Sequence, residues 1–142
     1  MDRTLVICKP DAVERGLVGE IIARLERKGL RLVAAELRQV DLEAATAHYA
    51  EHQDEPFFPR LLAFFTRSPV VLLVVCGPAD TWSVVRGMMG ATNPREAPPG
   101  TMRGDLGIDP TENLVHGSDG PESAEREIAL WFPALAAKSG EA

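Results

Sequence analysis

Pro69-Val70-Val71-Leu72-Leu73-Val74-Val75-Cys76 is the stretch on which the fold turns. Its almost unbroken Val/Leu content reads as a buried strand, central in a sheet and covered on at least one face. It is far too short for the ~20 apolar residues that span a bilayer. Working outward, Gly77-Pro78-Ala79-Asp80 starts a helix with proline near its first position. Trp82, Val85 and Met89 form that helix's apolar side, and Gly90 ends it. From Ala91 to Gly104 the prolines and glycines leave no regular period, and such long loops in compact domains are usually functional. Leu114-Val115 belongs to a fourth strand, which turns at Gly117 into a helix from Pro121 to Phe132 with Ala124, Ile128 and Trp131 at core spacing. The tail from Ala134 is expected to fray.

On the N-terminal side, Thr4 to Cys8 is a first buried strand. Val18, Ile21, Ile22 and Leu25 fall at i, i+3, i+4 and i+7, one apolar helical face, and Gly29 stands as its terminator. A second strand lies within Leu30–Val40, centred on Leu32-Val33-Ala34. Asp41 caps a short helix through Tyr49. Pro56 opens another helix, containing Phe57, Leu61, Leu62 and Phe65. The order β-α-β-(helices)-β-α-β predicts an α+β domain of the α/β class, a ferredoxin-like βαββαβ sandwich. Its four-stranded antiparallel sheet would carry helices on one face. Residues 1–142 read as a single domain, with 134–142 as the frayed tail.

The chain has 142 residues, 45% of them hydrophobic, enough for a full core. The start, Met1-Asp2-Arg3, followed by Lys9-Pro10-Asp11, shows no signal-peptide apolar region. Cys8 and Cys76 both sit in strand-like runs and read as reduced, buried thiols of a cytoplasmic protein. The net charge of −6 argues against a nucleic-acid backbone as partner. An RNA-binding domain of this fold would also need an aromatic sheet motif that is absent. Neither a membrane nor a specific nucleic acid is expected as partner.

Chemistry concentrates in Asn113-Leu114-Val115-His116-Gly117-Ser118-Asp119. A histidine at a strand tip, with a helix N-terminus behind it, is well placed to meet an anion. Histidine is also a nucleophile able to carry a covalent intermediate. With no G-x-x-x-x-G-K-[ST] loop, phosphates must be held by side chains. The candidates are Lys9, Arg86, Thr92 and Arg103, the arginines being suited to bidentate phosphate contact. His48 and His52 lie four apart but lack the H-E-x-x-H glutamate, so they read as a solvent-facing helix end, with His52 near the phosphates. No metal cage belongs to the chain itself.

Several motifs in order carry a family resemblance. They are Lys9-Pro10-Asp11-Ala12-Val13, Arg15-Gly16-Leu17-Val18-Gly19-Glu20-Ile21-Ile22, Gly90-x-Thr92-Asn93-Pro94, Pro99-Gly100-Thr101-Met102-Arg103-Gly104-Asp105 and Asn113-x-x-His116-Gly117-Ser118-Asp119. From about Arg3 to Phe132 the chain resembles nucleoside diphosphate kinase. The resemblance implies ping-pong transfer of a γ-phosphoryl group from a nucleoside triphosphate, typically ATP, to a nucleoside diphosphate through a phosphohistidine at Nδ1 of His116. It assigns phosphate contacts to Lys9, Arg86, Thr92 and Arg103, and ribose contacts to Lys9 and Asn113. Phe57 with Leu61 resembles the clip on which the base stacks, and Tyr49 the tyrosine supporting Lys9 and the phosphates. Ser118 and Glu127 resemble the pair that hold the histidine's surroundings. Mg2+ would arrive with the nucleotide. A homo-oligomer is implied, a hexamer first, with Pro94 near its threefold centre, and a tetramer as alternative. Leu106 stands where the family usually has an aromatic residue, and Cys8 where an aliphatic one is usual.

Overall fold

The computed structural model describes residues 1–135. Strand β1 (Asp2–Cys8) runs at once into a short helix α1 (Pro10–Glu14), then α2 (Val18–Lys28) and β2 (Arg31–Arg38). Next come α3 (Leu42–His48), a 3-10 turn (Ala50–His52), α4 (Phe58–Phe65), β3 (Val70–Gly77) and α5 (Thr81–Met89). A second 3-10 turn (Pro94–Glu96), α6 (Met102–Leu106), β4 (Val115–Gly117) and α7 (Pro121–Trp131) complete the order. The sheet runs β2-β3-β1-β4 with every pair antiparallel. This is the ferredoxin-like arrangement expected from the order of elements.

Helices cover both faces of the sheet, which corrects the expectation of one covered face. All eight residues of β3 are buried, and alternate residues of β1 and β3 feed two separate cores. Val6, Cys8, Val71, Leu73 and Val75 pack with Ile21 and Leu25 of α2 and with Val85 and Met89 of α5. Leu5, Ile7, Val70, Leu72 and Val74 face the other way, onto Tyr49, Phe65 of α4, and Ile128 and Trp131 of α7. Thus α2 and α5, the two crossover helices, take one face, while the inserted and C-terminal helices take the second. A continuous apolar run has no period-two signal that would reveal how many of its faces are covered.

Several boundaries move. Gly29 ends α2 in the left-handed region (φ 101°), and the Asp41 carboxylate accepts from the Ala44 amide at 2.8 Å, both as read from the sequence. By contrast, Gly77-Pro78-Ala79 lies outside α5, which is entered through Asp80 at φ 60°. Helix α4 begins at Phe58, with Phe57 rather than Pro56 at its cap. The proline-rich loop is not structureless: Asn93 caps the 3-10 turn by accepting from Arg95, and Thr101 caps α6 by accepting from Gly104. A side-chain cap can stabilise helical turns too short to show a period. Of the tail expected to fray, the Leu135 carbonyl accepts from Arg3 at 3.3 Å, and residues 136–142 lie outside the described residues. Both cysteines are free and buried, and burial pushes the Cys8 thiol up to about 12.

Candidate active site

Where the end of β1 meets the start of β4, two adjoining cavities of about 370 and 230 Å3 share Lys9, Tyr49, His52, Thr92, Asn113 and His116. Phe57 and Leu61 line the larger one, with Pro110 and Thr111 opposite. Phe57 is 47% exposed, an aromatic face left open at the mouth. Arg86, Arg103, Asp119 and Glu127 line the smaller one. An apolar slot and a cation-lined recess therefore meet at His116.

The histidine is held by α7. Glu127, nearly two turns into that helix and buried, brings Oε1 to 3.0 Å from His116 Nε2 and accepts from Ser118 Oγ at 2.8 Å. The Leu5 amide in turn donates to Ser118 Oγ at 3.4 Å. Burial alone would raise the Glu127 carboxyl, but these hydrogen bonds and the facing His116 hold it below the usual range. An ionised carboxylate only accepts. In the neutral tautomer that this contact selects, the His116 proton sits on Nε2 and Nδ1 carries the lone pair.

Lys9, buried at the end of β1, donates from Nζ to Asn113 Oδ1 at 2.8 Å. Desolvation, and secondly the Arg103 charge, push its pKa down to about 8. Asn113 Nδ2 donates to the Thr92 and Pro110 carbonyls, both at 2.9 Å, which ties the proline-rich loop to the site. Arg86, on α5, donates to the Gly117 carbonyl at 2.9 Å. Arg103 is more committed than its sequence suggested. Nε donates to the Asn113 carbonyl (3.1 Å), Nη1 to Gly90 (3.0 Å) and Nη2 to Val115 (2.6 Å). Of the five N–H groups of a guanidinium, two remain for a ligand. The Tyr49 hydroxyl is buried without a hydrogen-bond partner.

His48 is the main correction. It is 3% exposed, not solvent-facing. Its ring packs between Tyr49, Phe65, Trp131 and His116, the last with centroids 4.7 Å apart and nearly perpendicular planes. Helix α3 is short, and tertiary packing set the side chain's fate where local pattern gave no sign. Trp131 Nε1 donates to His48 Nδ1 at 3.2 Å, so the neutral ring carries its proton on Nε2. Burial, with His116 next, pushes its pKa down to about 3. His48, His116 and Glu127 keep a nitrogen or oxygen each within 4.8 Å of one another, but that tautomer makes His48 a donor rather than a ligand. His52 is half-exposed, 3.6 Å from Glu51, and lines both cavities. Leu106 is half-buried against the core beneath the proline-rich loop. Sequence reading missed Asp11, whose carboxylate accepts from the Leu114 amide at 3.1 Å. Nothing local to residue 11 signals a partner more than a hundred residues away.

An antiparallel α+β sandwich with a histidine set between an aromatic slot and clustered cations defines an enzyme of the phosphotransferase class. Comparison with known proteins narrows this. A family model described as nucleoside diphosphate kinase matches residues 2–136. The nucleoside diphosphate kinase of Saccharopolyspora erythraea is 60% identical over 94% of this chain and 98% of its own. That of Symbiobacterium thermophilum is 58% identical over 93% of this chain and 87% of its own. Among solved structures, a halophilic nucleoside diphosphate kinase from Halobacterium salinarum in complex with CDP superposes with a TM-score of 0.89 at 51% identity, covering 92% of this chain and 87% of that one. A family member from Babesia bovis gives 0.91 at 43% identity, covering 96% and 91%. The chain belongs to the nucleoside diphosphate kinase family, and its activity is that family's phosphoryl transfer between nucleotides.

Proposed function

We propose that transfer runs through a phosphohistidine at Nδ1 of His116. The observation that carries this is the pairing of Nε2 with the ionised Glu127 carboxylate, which makes Nδ1 the lone-pair nitrogen of the neutral ring, at the junction of the two cavities. Nδ1 attacks the γ-phosphorus of a nucleoside triphosphate, typically ATP. The N–P bond forms as the bond to the β–γ bridging oxygen breaks, and the diphosphate departs. A terminal β-phosphate oxygen of a second nucleoside diphosphate then attacks the phosphorus and the imidazole leaves. No proton need move at Nε2 in either half.

The base stacks on Phe57 with Leu61 beside it. Stacking accepts any base, and the related Halobacterium enzyme was solved with CDP. Lys9, Arg86, Thr92 and Arg103 meet the phosphates, Lys9 and Asn113 the ribose, and the unpaired Tyr49 hydroxyl supports the phosphate end. Clustered cations favour the charge-spread transition state of phosphoryl transfer. Ser118 and Glu127 keep the His116 ring oriented. Mg2+ would arrive as part of the nucleotide substrate, where it would neutralise phosphate charge.

The protein works in the cytoplasm, a reading supported by its two buried thiols. It self-associates, as a hexamer by first choice and a tetramer by alternative. Strand β2 forms an edge of the sheet and exposes Leu37 (65%) and Val33 (39%), the kind of edge that natural proteins cover. Sedimentation velocity separates the two assemblies. His116→Ala tests the chemical reading: steady-state transfer from ATP to a diphosphate falls by several orders of magnitude. Retained transfer at more than a tenth of the wild-type rate would remove it.

A further inference from the structure

Asn113 and His116 line the same two cavities. In a regular strand, residues three apart point to opposite faces. The backbone breaks that alternation at Leu114. Its φ is +76°, in the left-handed region, although it is a leucine and fully buried. The Val115 amide donates back to the Asn113 carbonyl at 2.9 Å. A bond from residue i+2 to i around a positive-φ centre is the strained hand of the γ-turn. A bulky residue adopts it only where the surroundings over-determine it.

Here four bonds do so. The Leu114 carbonyl accepts from the Lys9 amide at 2.8 Å. The flanking Asn113 and Val115 carbonyls accept from Arg103. The Leu114 amide donates to Asp11 Oδ2 at 3.1 Å. Asp11 is 4% exposed, and its second oxygen has no partner. A buried carboxylate with one oxygen idle is costly to the fold. The group it serves is the turn amide. We propose that Asp11 is a positioning residue for phosphoryl transfer: by holding the Leu114 amide it keeps the γ-turn that brings Asn113 and His116 to one site.

This rests on the reading of His116 as phosphoryl acceptor, and the test separates the two. Single-turnover phosphorylation by ATP is followed in wild type, Asp11→Asn, Asp11→Leu and Asp11→Ser, with the labelled residue mapped by mass spectrometry and a thermal melt recorded for each. Asparagine keeps the acceptor and stays within about threefold of wild type. Leucine fills the volume without an acceptor, and the serine hydroxyl is too short to reach the amide. Whichever of these two folds phosphorylates His116 at least tenfold more slowly, while melting within a few degrees of wild type. A plain stabilising role would instead make rate follow melting temperature across the set. The inference is overturned if a folded Asp11→Leu or Asp11→Ser loads His116 at the wild-type rate, or if Asp11→Asn falls as far as they do. Label that maps away from His116 in the wild type overturns the acceptor reading instead.

Discussion

Lys9 and Arg103 show how burial turns ordinary cations into a site, and each gives a prediction. Desolvation lowers Lys9 to about 8, so the free enzyme loses that charge where an exposed lysine would keep it. The kcat/KM for nucleotide is expected to fall above pH ~8, and Lys9→Arg to move that limb upward, because a guanidinium stays protonated. A profile flat to pH 10 in the wild type would contradict this. Arg103 has a structural share beside the phosphate contact proposed for it. Three hydrogen bonds to backbone carbonyls, two of them buried and one part-buried, mean that Arg103→Ala destabilises the fold by about 3 kcal/mol as well as slowing turnover, read from a urea melt beside kcat/KM. Loss of rate with an unchanged melt would make the carbonyl contacts energetically idle.

Short, capped elements do the positioning, and they are where sequence reading was weakest. Helix α6 carries Arg103 and sits against Pro98: a Cβ on Gly104 would lie 2.0 Å from the Pro98 carbonyl oxygen. Gly104→Ala is therefore expected to lower the melting temperature by roughly 10 °C, on the basis of a few kcal/mol of strain, and to slow transfer through the displaced Arg103. An unchanged melt would mean the loop yields freely. The long elements were legible because each has a period: α2 through Val18, Ile21, Ile22 and Leu25, α7 through Ala124, Ile128 and Trp131, and β3 through its unbroken apolar run. Helix α1, the 3-10 turn at Pro94 and α6 span one turn or so, too few residues for a period to show. The grouping of Lys9, Arg86, Thr92, Arg103, Asn113 and His116 was legible through motifs. The burial of His48 and the Asp11–Leu114 contact were not, since both are made by residues distant in sequence.

The whole molecule is acidic, at −6, yet gathers Lys9, Arg86 and Arg103 around one recess. Its response to acid follows from two buried groups beside His116. The folded His48 resists protonation down to about 3, against an ordinary 6.5. Between those values the unfolded chain binds more protons, so stability falls as pH falls through that window. Glu127, held below its ordinary 4.5, contributes stability above that value and loses it as pH drops through its folded pKa. Asp11, raised by burial, opposes the trend over the carboxylate range. The melting temperature is expected to decline from pH 6.5 to 4.5, and His48→Phe to flatten that decline; an equal slope in the variant would assign it elsewhere. The central claim is that one imidazole carries the phosphoryl group on Nδ1, and 31P NMR of the protein treated with ATP and no acceptor tests it most directly. The account predicts a phosphoramidate resonance assigned to Nδ1 of His116 that vanishes when any nucleoside diphosphate is added. Active enzyme that shows no such resonance, or one bonded to Nε2, would contradict it.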